Sequence, residues 1–479
     1  MLWICLSFPD LPLAVFARAD ARRSPAVTAS ASHRPDVIVA NVAARKRGVV
    51  AGLSIAAALA LDPDLVVHLR DERAEAAALE RIALWAGQWT PAVSIELPGC
   101  VLLEVAGVLR YFEGLERLAQ RIRAGLDEMG FESAIAVAPT AGAASLLARA
   151  GCAVEIDASS LARALAPLPV DLLRHARSSI ATLQAVGVES IGELLALPRD
   201  GVARRFGQAL LDEVDRALGK LPEARAPFTA PERYEGQLEL PAPVEEAEAL
   251  LFGARRLVVE LCGFLHARGA GVTRLACDLV HRDTAPTSIG LGLRSTRQVE
   301  HIMTVLRERL ARETLPDRVA AIRLATEEIA PLAGRDGDFF AAGASSEAGA
   351  QLVERLRARL GEDAVRSLAL QADHRPERAW RWEPALNASG AATGLRQRGD
   401  ASRPAPVRPL WLLPEPHALA AGPAEASVQL ESGPERIESG WWDGHDAARD
   451  YFVGRNERGE ALWLYRDRGG RWFVHGVFA

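Results

Sequence analysis

The stretch Thr90–Gly107 reads TPAVSIELPGCVLLEVAG, and it lies among strands and helices that alternate along the chain. Its second half, Val101–Val105, is an apolar run of strand length, as is Met1–Leu6. Helical spacing in Glu72–Trp89 and Leu115–Met129 surrounds these strands. Strands interleaved with helices predict an α/β first domain of about 160 residues.

Composition sets the broad class. The chain has 479 residues, which predicts two to four domains, and its formal net charge is −6. An acidic balance argues against tight, indiscriminate binding to phosphate backbones, although it leaves room for a local basic groove. The five cysteines form no CxxC pair, and no signal peptide or membrane-length apolar run is present. We therefore expect a reduced, cytoplasmic protein that has no membrane association.

The rest of the chain changes character twice. Pro167 and Pro169 mark a boundary, after which Asp171–Lys220 has helical patterning throughout, and Leu221–Pro243 is predicted to be a linker. Glu245–Ala325 follows with helix, strand, strand, helix and strand signals. The predicted domains are 1–166, 167–230, 236–330 and 331–479. Seven of the ten tryptophans lie beyond Ala379, and their short alternating runs predict a small β-rich C-terminal element after a flexible stretch, Asn387–Pro409.

Four ordered stretches resemble the Y-family (DinB/UmuC-type) DNA polymerases. They are the opening strand in Met1–Pro9, the fingers segment in Asn41–Gly52, the palm hairpin in Thr90–Gly107, and the strand and helix in Ala136–Arg149. Leu183–Leu197 similarly resembles a thumb motif, and Glu245–Ala325 resembles the little finger. The resemblance implies a multidomain α/β and α+β fold with palm and fingers, a helical thumb, a little finger and a small Trp-rich C-terminal region.

The same alignment implies that the catalytic machinery is missing. Nucleotidyl transfer needs two divalent cations held by carboxylates. Here Cys5 stands at the opening-strand Asp, and Gly99 and Cys100 stand at the Asp-Glu pair of the hairpin. A shifted register would recover one carboxylate, Glu96. We therefore predict no catalytic residues, no metal and no cofactor.

Two more positions of the nucleotide site differ from the family pattern. Asp10 stands at the aromatic steric gate and Val42 at a triphosphate-contacting Tyr, while Arg45 keeps a triphosphate-binding arginine, followed by Lys46. Arg45 could equally be a surface charge at a helix start. The resemblance also places Cys5 opposite Cys100, either as two small buried residues, as a redox pair or as a soft-metal site.

Several residues are candidates for DNA contact. Gly187 and Gly192 flank a turn resembling a helix–hairpin–helix, in which glycine lets backbone amides approach a phosphate; an ordinary connecting turn is the alternative. Arg274 belongs to a set of little-finger arginines that could track a DNA backbone or simply be solvated.

The segment Arg335–Phe340 (RDGDFF) resembles a degenerate sliding-clamp-binding peptide. Asp336 and Asp338 lie in its polar part, and Phe339 and Phe340 would be its anchors. The alternative is a plain linker with two phenylalanines.

The C-terminal region, including Arg408–Pro416 and Gly433–Gly444, resembles the tail of the ImuB family, inactive Y-family relatives in bacterial SOS mutagenesis cassettes. That resemblance implies four partners: damaged primer–template DNA, the sliding clamp, an ImuA-type RecA-like protein and an error-prone DnaE-type polymerase. Tryptophans are frequent at interface hot spots, so the candidate partner-binding residues are Trp411, Trp441, Trp442 and Trp472. They could instead form a domain core. His445 and His475 lack the spacing of metal ligands.

The function that follows is a non-catalytic, polymerase-like adaptor in DNA repair and SOS-induced translesion synthesis. Two other functions remain open: an active translesion polymerase with divergent ligands, and a protein scaffold without DNA affinity.

Overall fold

The computed structural model of the protein describes residues 1–18, 25–30, 33–152, 159–332, 343–385, 408–420 and 422–478. The chain forms two compact units, Met1–Glu347 and Ala348–Ala479. The predicted flexible stretch Asn387–Pro409 lies outside the described residues except for its last two positions.

The N-terminal part of the first unit alternates strands and helices, as the sequence predicts. Its elements are β1 (Trp3–Ser7), α1 (Leu11–Ala17), β2 (Ala26–Ala29), β3 (Val37–Ala40), α2 (Val42–Lys46), α3 (Ile55–Leu61), β4 (Val66–Leu69), α4 (Glu72–Ala86), β5 (Val93–Glu96), β6 (Cys100–Glu104), α5 (Leu115–Met129), β7 (Ala134–Ala138) and α6 (Ala141–Arg149). They form a four-stranded sheet of order β5-β6-β1-β7 and a small sheet of order β3-β2-β4. We call the larger one the palm sheet.

Both faces of the palm sheet are buried, which explains why β1, β6 and β7 are largely continuous apolar runs. Ile4 and Leu6 point to one face and join a core with α4 and α5. Cys5 points to the other face and packs in a second core with α6 and the following helices. Alternate side chains of a strand face opposite ways, so an amphipathic alternation is not needed when both sides are covered.

The next segment is helical, as predicted. It comprises α7 (Leu161–Leu165), α8 (Ile180–Ala185), α9 (Ile191–Ala196), α10 (Arg199–Phe206) and α11 (Gln208–Ala217), with 3₁₀ helices at Val170–Leu172 and Arg174–Ser179. Leu183, Leu194 and Leu211 are buried in the core that also contains α6. This thumb-like module therefore packs on the palm face that carries Cys5.

Residues 222–228, which we call the palm strap, follow this module and cross the palm. The Phe228 amide donates to the Val93 carbonyl at 2.7 Å, so the strap pairs with the outer strand β5. The Gly142 amide donates to Oε2 of Glu223 at 2.9 Å, at the start of α6. The strap is thus held at both the sheet edge and the helix N-terminus.

The little-finger-like part consists of β8 (Glu235–Val244), α12 (Ala247–Ala267), β9 (Ala270–His281), β10 (Thr287–Thr296), α13 (Val299–Leu310) and β11 (Val319–Pro331). Its sheet has the order β10-β9-β11-β8. The prediction of a linker over Leu221–Pro243 is wrong for its last nine residues, because they belong to strand β8. Gly236 and Leu238 are buried and alternate with exposed neighbours, as in a half-buried strand. The prolines at 241 and 243 are tolerated because β8 is an edge strand.

Helix α12 fixes this part to the palm helices. Trp85 of α4 is 2% exposed, and it lies against two glycines, Gly125 of α5 and Gly263 of α12. A Cβ added at Gly125 or Gly263 would approach the Trp85 ring to 2.3 or 2.4 Å. Both glycines are therefore needed for the close approach of the three helices.

A buried charge cluster supports the same contact. Arg18 Nη1 lies 2.6 Å from Oε1 of Glu260, and both side chains are 1% exposed. The Tyr234 hydroxyl donates to Oε2 of Glu260 at 3.2 Å, and Arg81 Nε lies 3.5 Å from the same oxygen. Since this one carboxylate accepts from Arg18 and Tyr234 and also lies at ion-pair distance from Arg81, removing it would leave buried charges without compensation.

The second unit is rich in strands, as predicted. From α14 (Gly343–Leu360) onward the elements are β12 (Arg366–Leu370), β13 (Trp380–Pro384), β14 (Trp411–Ala418), β15 (Val428–Ser439), β16 (Ala447–Asn456), β17 (Ala461–Asp467) and β18 (Trp472–Val477). The last five strands form one sheet of order β14-β18-β17-β16-β15. Its core contains Tyr451 stacked on Trp463, with ring centroids 4.0 Å apart. None of the described helices has the length and apolar character required to span a membrane.

Candidate functional site

Cys5 and Cys100 lie on neighbouring strands of the palm sheet. In the β1–β6 register Cys5 pairs with Leu102 and Ser7 with Cys100, so the two cysteines are diagonal neighbours on one face. Both are free thiols and buried. Burial raises the pKa of Cys5 well above its ordinary value, so it stays a neutral thiol. A neutral, soft sulfur is a poor ligand for Mg²⁺.

Gly99 forms the turn between β5 and β6. Its carbonyl accepts from the Phe8 amide at 2.9 Å, which ties the hairpin to the end of β1. A Cβ at Gly99 would lie 3.4 Å from the Phe8 carbonyl oxygen, an ordinary contact. Backbone geometry therefore does not demand glycine at this position, and no side chain is present to act as a ligand.

Glu96 is the carboxylate at the end of β5, directly opposite Cys100 in the hairpin. Arg225 of the palm strap donates to its Oε2, Arg174 Nη2 lies 2.8 Å from its Oε1, and the Ser145 hydroxyl donates to Oε1 at 2.7 Å. Burial by itself raises the pKa of Glu96, but the Arg225 charge and the Ser145 hydrogen bond bring that pKa below its ordinary value. Glu96 is therefore an ionised carboxylate whose two oxygens already have cationic partners.

The surroundings do not supply a replacement set of metal ligands. Within the described parts of the chain, no group of three or more His, Cys, Asp or Glu side chains has the arrangement of a metal site. An added divalent cation beside Glu96 would have to displace two guanidinium groups. The arrangement favours a packed, ion-paired site over a two-metal centre.

Asp10 and Arg45, at the positions that the alignment assigns to the nucleotide site, lie at ion-pair distance from each other. Arg45 Nη2 lies 3.9 Å from Oδ2 of Asp10, and the side chains are 48% and 31% exposed. Burial raises the pKa of Asp10, and the Arg45 charge opposes that rise. Lys46 is exposed in the last turn of α2, and Val42 is half exposed at its start. The retained arginine thus faces a carboxylate at the place where the alignment puts the steric gate.

Comparison with known proteins identifies the family of the chain. The impB/mucB/samB family model matches residues 13–149. Two proteins named Protein ImuB, from Caulobacter vibrioides strains NA1000 / CB15N and ATCC 19089 / CIP 103742 / CB 15, are each 30% identical over 464 residues, covering 90% of this chain and all of the relative. The chain belongs to the ImuB family. It therefore has the Y-family polymerase-like fold and a Y-family-like role in DNA damage tolerance.

Solved structures similar to this ImuB-family chain are much more distant in sequence. The insertion ternary complex of Dbh DNA polymerase is 19% identical, covering 69% of this chain and 99% of its own, with a TM-score of 0.40. DinB from Sulfolobus solfataricus is 18% identical, covering 68% and 98%, with a TM-score of 0.37.

The thumb-like turn of this ImuB-family chain uses its amides internally. The Gly187 amide donates to Gln184 and the Gly192 amide to Ala166, at 3.0 and 2.8 Å. The carboxylate of Glu193 accepts from the amides of Glu189 and Ser190, and it completes a capping box at the start of α9. A phosphate could therefore reach the amides of Glu189 and Ser190 only by displacing the Glu193 carboxylate.

Arg274 lies on the exposed face of the little-finger-like sheet. It is 65% exposed, and its Nη2 lies 3.0 Å from Oε2 of Glu327. Arg323, on the neighbouring strand, pairs with Glu235 at 3.7 Å. This face carries charges of both signs, so the basic surface expected from the arginines alone is partly neutralised.

The tryptophans of the C-terminal unit divide into exposed and packed residues. Trp411, Trp441 and Trp442 are 69%, 75% and 61% exposed. Trp472 is half-buried and packs on Phe452 at 5.1 Å between ring centroids. The unit thus has both an aromatic core and exposed indoles.

Sequence reasoning missed one exposed pair, Trp380 and Trp382. They are 43% and 55% exposed, and they pair with exposed Leu370 and Leu368 across the β12–β13 hairpin. The alternation Trp-Arg-Trp of this segment places both indoles on one face of a strand, which was the available signal.

His475 is a core residue. It is 1% exposed, its Nδ1 lies 2.7 Å from the Tyr451 hydroxyl, and burial lowers its pKa to about 4. His445 is exposed in the connection between β15 and β16. The candidate clamp-binding residues Asp336, Asp338, Phe339 and Phe340 lie outside the described residues.

Proposed function

We propose that the chain is a non-catalytic Y-family-like adaptor in DNA repair and SOS-induced, error-prone translesion synthesis, in which another enzyme performs the polymerisation. The observation that carries this proposal is the state of Glu96. The carboxylate that a shifted register would recover as a metal ligand is bound by Arg225, Arg174 and Ser145. With Cys5 and Cys100 as buried thiols beside it, the described residues around Glu96 supply no second carboxylate that is free to hold a hard cation.

An active polymerase with divergent ligands is the second candidate. It requires Glu96 to leave both arginines and at least one further carboxylate to enter the site. Asp10 follows β1 in the chain and is a candidate for that further carboxylate. Its Oδ2 lies 3.9 Å from Nη2 of Arg45, so it already has a cationic partner. We therefore favour the adaptor, and template-directed primer extension is the activity that separates the two.

The adaptor needs DNA affinity, which a pure protein scaffold would lack. Because phosphate contacts release counterions, binding to primer–template DNA should weaken steeply as salt is raised. The test is fluorescence anisotropy with full-length chain and labelled primer–template in EDTA, at several salt concentrations. Salt-dependent binding supports the adaptor, while undetectable binding at low salt supports the scaffold.

The sliding clamp is the partner proposed for the segment containing Phe339 and Phe340. Paired apolar anchors in an extended peptide fit a shallow apolar pocket. The variant F339A/F340A should lose clamp binding in a pull-down with purified clamp. The matched control is L352A/L356A, which removes two exposed leucines of α14. Equal clamp binding by wild type and F339A/F340A would contradict this part of the proposal.

The exposed indoles of the C-terminal unit are the proposed contacts for an ImuA-type RecA-like protein or an error-prone DnaE-type polymerase. Exposed aromatic side chains are costly to leave in water and are frequent in interface hot spots. Trp411, Trp441 and Trp442 have this exposure, whereas Trp472 packs within the unit.

A further inference from the structure

The cleft beside Cys100 has more positive than negative side chains. It encloses about 270 Å³ between the end of β1, the β5–β6 turn and the 3₁₀ helix at Arg174–Ser179. Among the residues that the structure describes, its charged lining consists of four arginines and two glutamates: Arg70, Arg149, Arg174, Arg177, Glu75 and Glu96. A second cleft of about 500 Å³, which reaches the palm strap, shares Glu96, Arg149 and Arg174 with the first. We call the first one the palm cleft.

Both glutamates of the palm cleft are already paired. Glu75 receives two hydrogen bonds from Arg70, at 2.8 and 2.9 Å, and Glu96 pairs with Arg174. Arg149 and Arg177, by contrast, have no carboxylate at ion-pair distance among the residues that the structure describes. Four positive and two negative side chains therefore leave an excess of two positive charges, carried by Arg149 and Arg177.

Because of this excess positive charge, the palm cleft favours anions, whereas a polymerase active site binds cations. A two-metal polymerase site concentrates carboxylates and so attracts divalent cations. The palm cleft would repel a dication and attract an oxyanion. Guanidinium groups are well matched to phosphate because their N–H groups donate in a planar fork to two oxygens.

We infer that the palm cleft binds a phosphate group directly through Arg149 and Arg177, without a divalent cation. Arg149 is half-buried at the end of α6 and Arg177 is exposed on the 3₁₀ helix, so the two lie on different elements around one cavity. The ligand class is the phosphate of a nucleotide or the phosphodiester of a nucleic-acid strand. The inference rests on the proposed function only in expecting DNA as the strand.

The test is binding of a labelled oligo-dT strand to the full-length chain in EDTA, with inorganic pyrophosphate as competitor. The variant is R149Q/R177Q. The matched control is R121Q/R123Q, which removes two exposed arginines of α5, a helix that packs on the opposite face of the palm sheet. We expect binding in EDTA that Mg²⁺ does not strengthen. The affinity of R149Q/R177Q for the strand should fall at least about ten-fold, and its plot of log binding constant against log salt concentration should be shallower by about 1.4. The affinity of the control should change less than about two-fold.

Two results would overturn the inference: R149Q/R177Q binding like the control, or wild-type binding that requires Mg²⁺. Competition by pyrophosphate points to a nucleotide phosphate as the ligand. If pyrophosphate does not compete, the affinity loss in R149Q/R177Q points to a phosphodiester. Should the double variant fail to fold, the exposed R177E substitution provides the same comparison. Primer extension does not enter this test, so its outcome is separable from that of the proposed function.

Discussion

Arg225 lies 129 residues after Glu96 in the chain, and its guanidinium forms an ion pair with the Glu96 carboxylate at the edge of the palm sheet. The palm strap delivers this arginine, because the strap is hydrogen bonded to β5 through Phe228. An element that connects two parts of a polymerase-like fold therefore also neutralises the carboxylate nearest to Cys100.

Substituting Glu96 by Gln should lower the free energy of unfolding at pH 7 by about 2 kcal/mol, because Arg225 and Arg174 lose a buried charge partner. The pKa of folded Glu96 lies below its ordinary value, so its contribution is present above about pH 4.3 and is lost as the pH falls through the folded pKa. The difference between wild type and E96Q should therefore shrink below about pH 4 in denaturant titrations.

The control for this change is E80Q on the exposed side of α4, which should alter stability by less than about 0.5 kcal/mol. Magnesium provides a further comparison. A melting temperature that Mg²⁺ raises in wild type but not in E96Q would reveal Glu96 as a metal ligand, contrary to our account.

Substituting Glu260 by Gln should destabilise the protein by about 3–5 kcal/mol, because Arg18 keeps its charge in a site where it is 1% exposed. The comparison is E300Q, whose carboxylate also accepts from an arginine, Arg255 at 2.7 Å, but is 79% exposed. That exposed pair should contribute less than about 1 kcal/mol. Equal unfolding midpoints for the two variants in urea would show that the palm and little-finger-like parts do not depend on this cluster.

His475 should make stability depend on pH in the mildly acidic range. Its folded pKa of about 4 lies below the ordinary value near 6.5, so the unfolded state takes up the proton first. Stability from this group is complete above about pH 6.5 and falls by up to about 3 kcal/mol as the pH approaches 4. The variant H475Q should lose this slope in urea titrations, while H445Q, at an exposed site, should keep it. An unchanged slope in H475Q would contradict the assignment.

The variant W441A/W442A should keep its stability within about 1 kcal/mol, since both side chains are mostly exposed. It should lose capture of the partner polymerase or ImuA-type protein in a pull-down with full-length chain. W380A/W382A is the matched exposed pair, and W463A, which removes a core residue, should cost about 3–5 kcal/mol. Retained capture by W441A/W442A together with loss in W380A/W382A would move the partner site to the β12–β13 hairpin.

The sequence predicted the local elements well because their signals are local. The apolar strands β1 and β6, the helices α4 and α5, and the β-rich C-terminal unit all follow from patterns within about a dozen residues. Strand β8 was missed because prolines at 241 and 243 obscured a two-residue alternation that an edge strand tolerates.

The candidate site was predictable only in part, because some of its contacts join residues that are far apart in the sequence. The prediction that Cys5, Gly99 and Cys100 replace metal ligands needs only the alignment of single positions, since each concerns one residue in one strand or turn. The pairing of Glu96 with Arg225 depends on where a distant segment returns to the palm, and no pattern near either residue specifies that return. The Glu193 carboxylate accepts hydrogen bonds from the amides of Glu189 and Ser190 in the thumb-like turn. This role could have been recognised from the capping-box spacing Ser190–Glu193.

The most direct measurement is primer extension by the purified full-length chain on primer–template DNA, with Mg²⁺ or Mn²⁺ and all four deoxynucleoside triphosphates. Our account predicts no template-directed extension under conditions where anisotropy shows the DNA to be bound. Extension that follows the template sequence and disappears in E96Q would contradict it, because Glu96 would then serve a metal ion instead of Arg225 and Arg174.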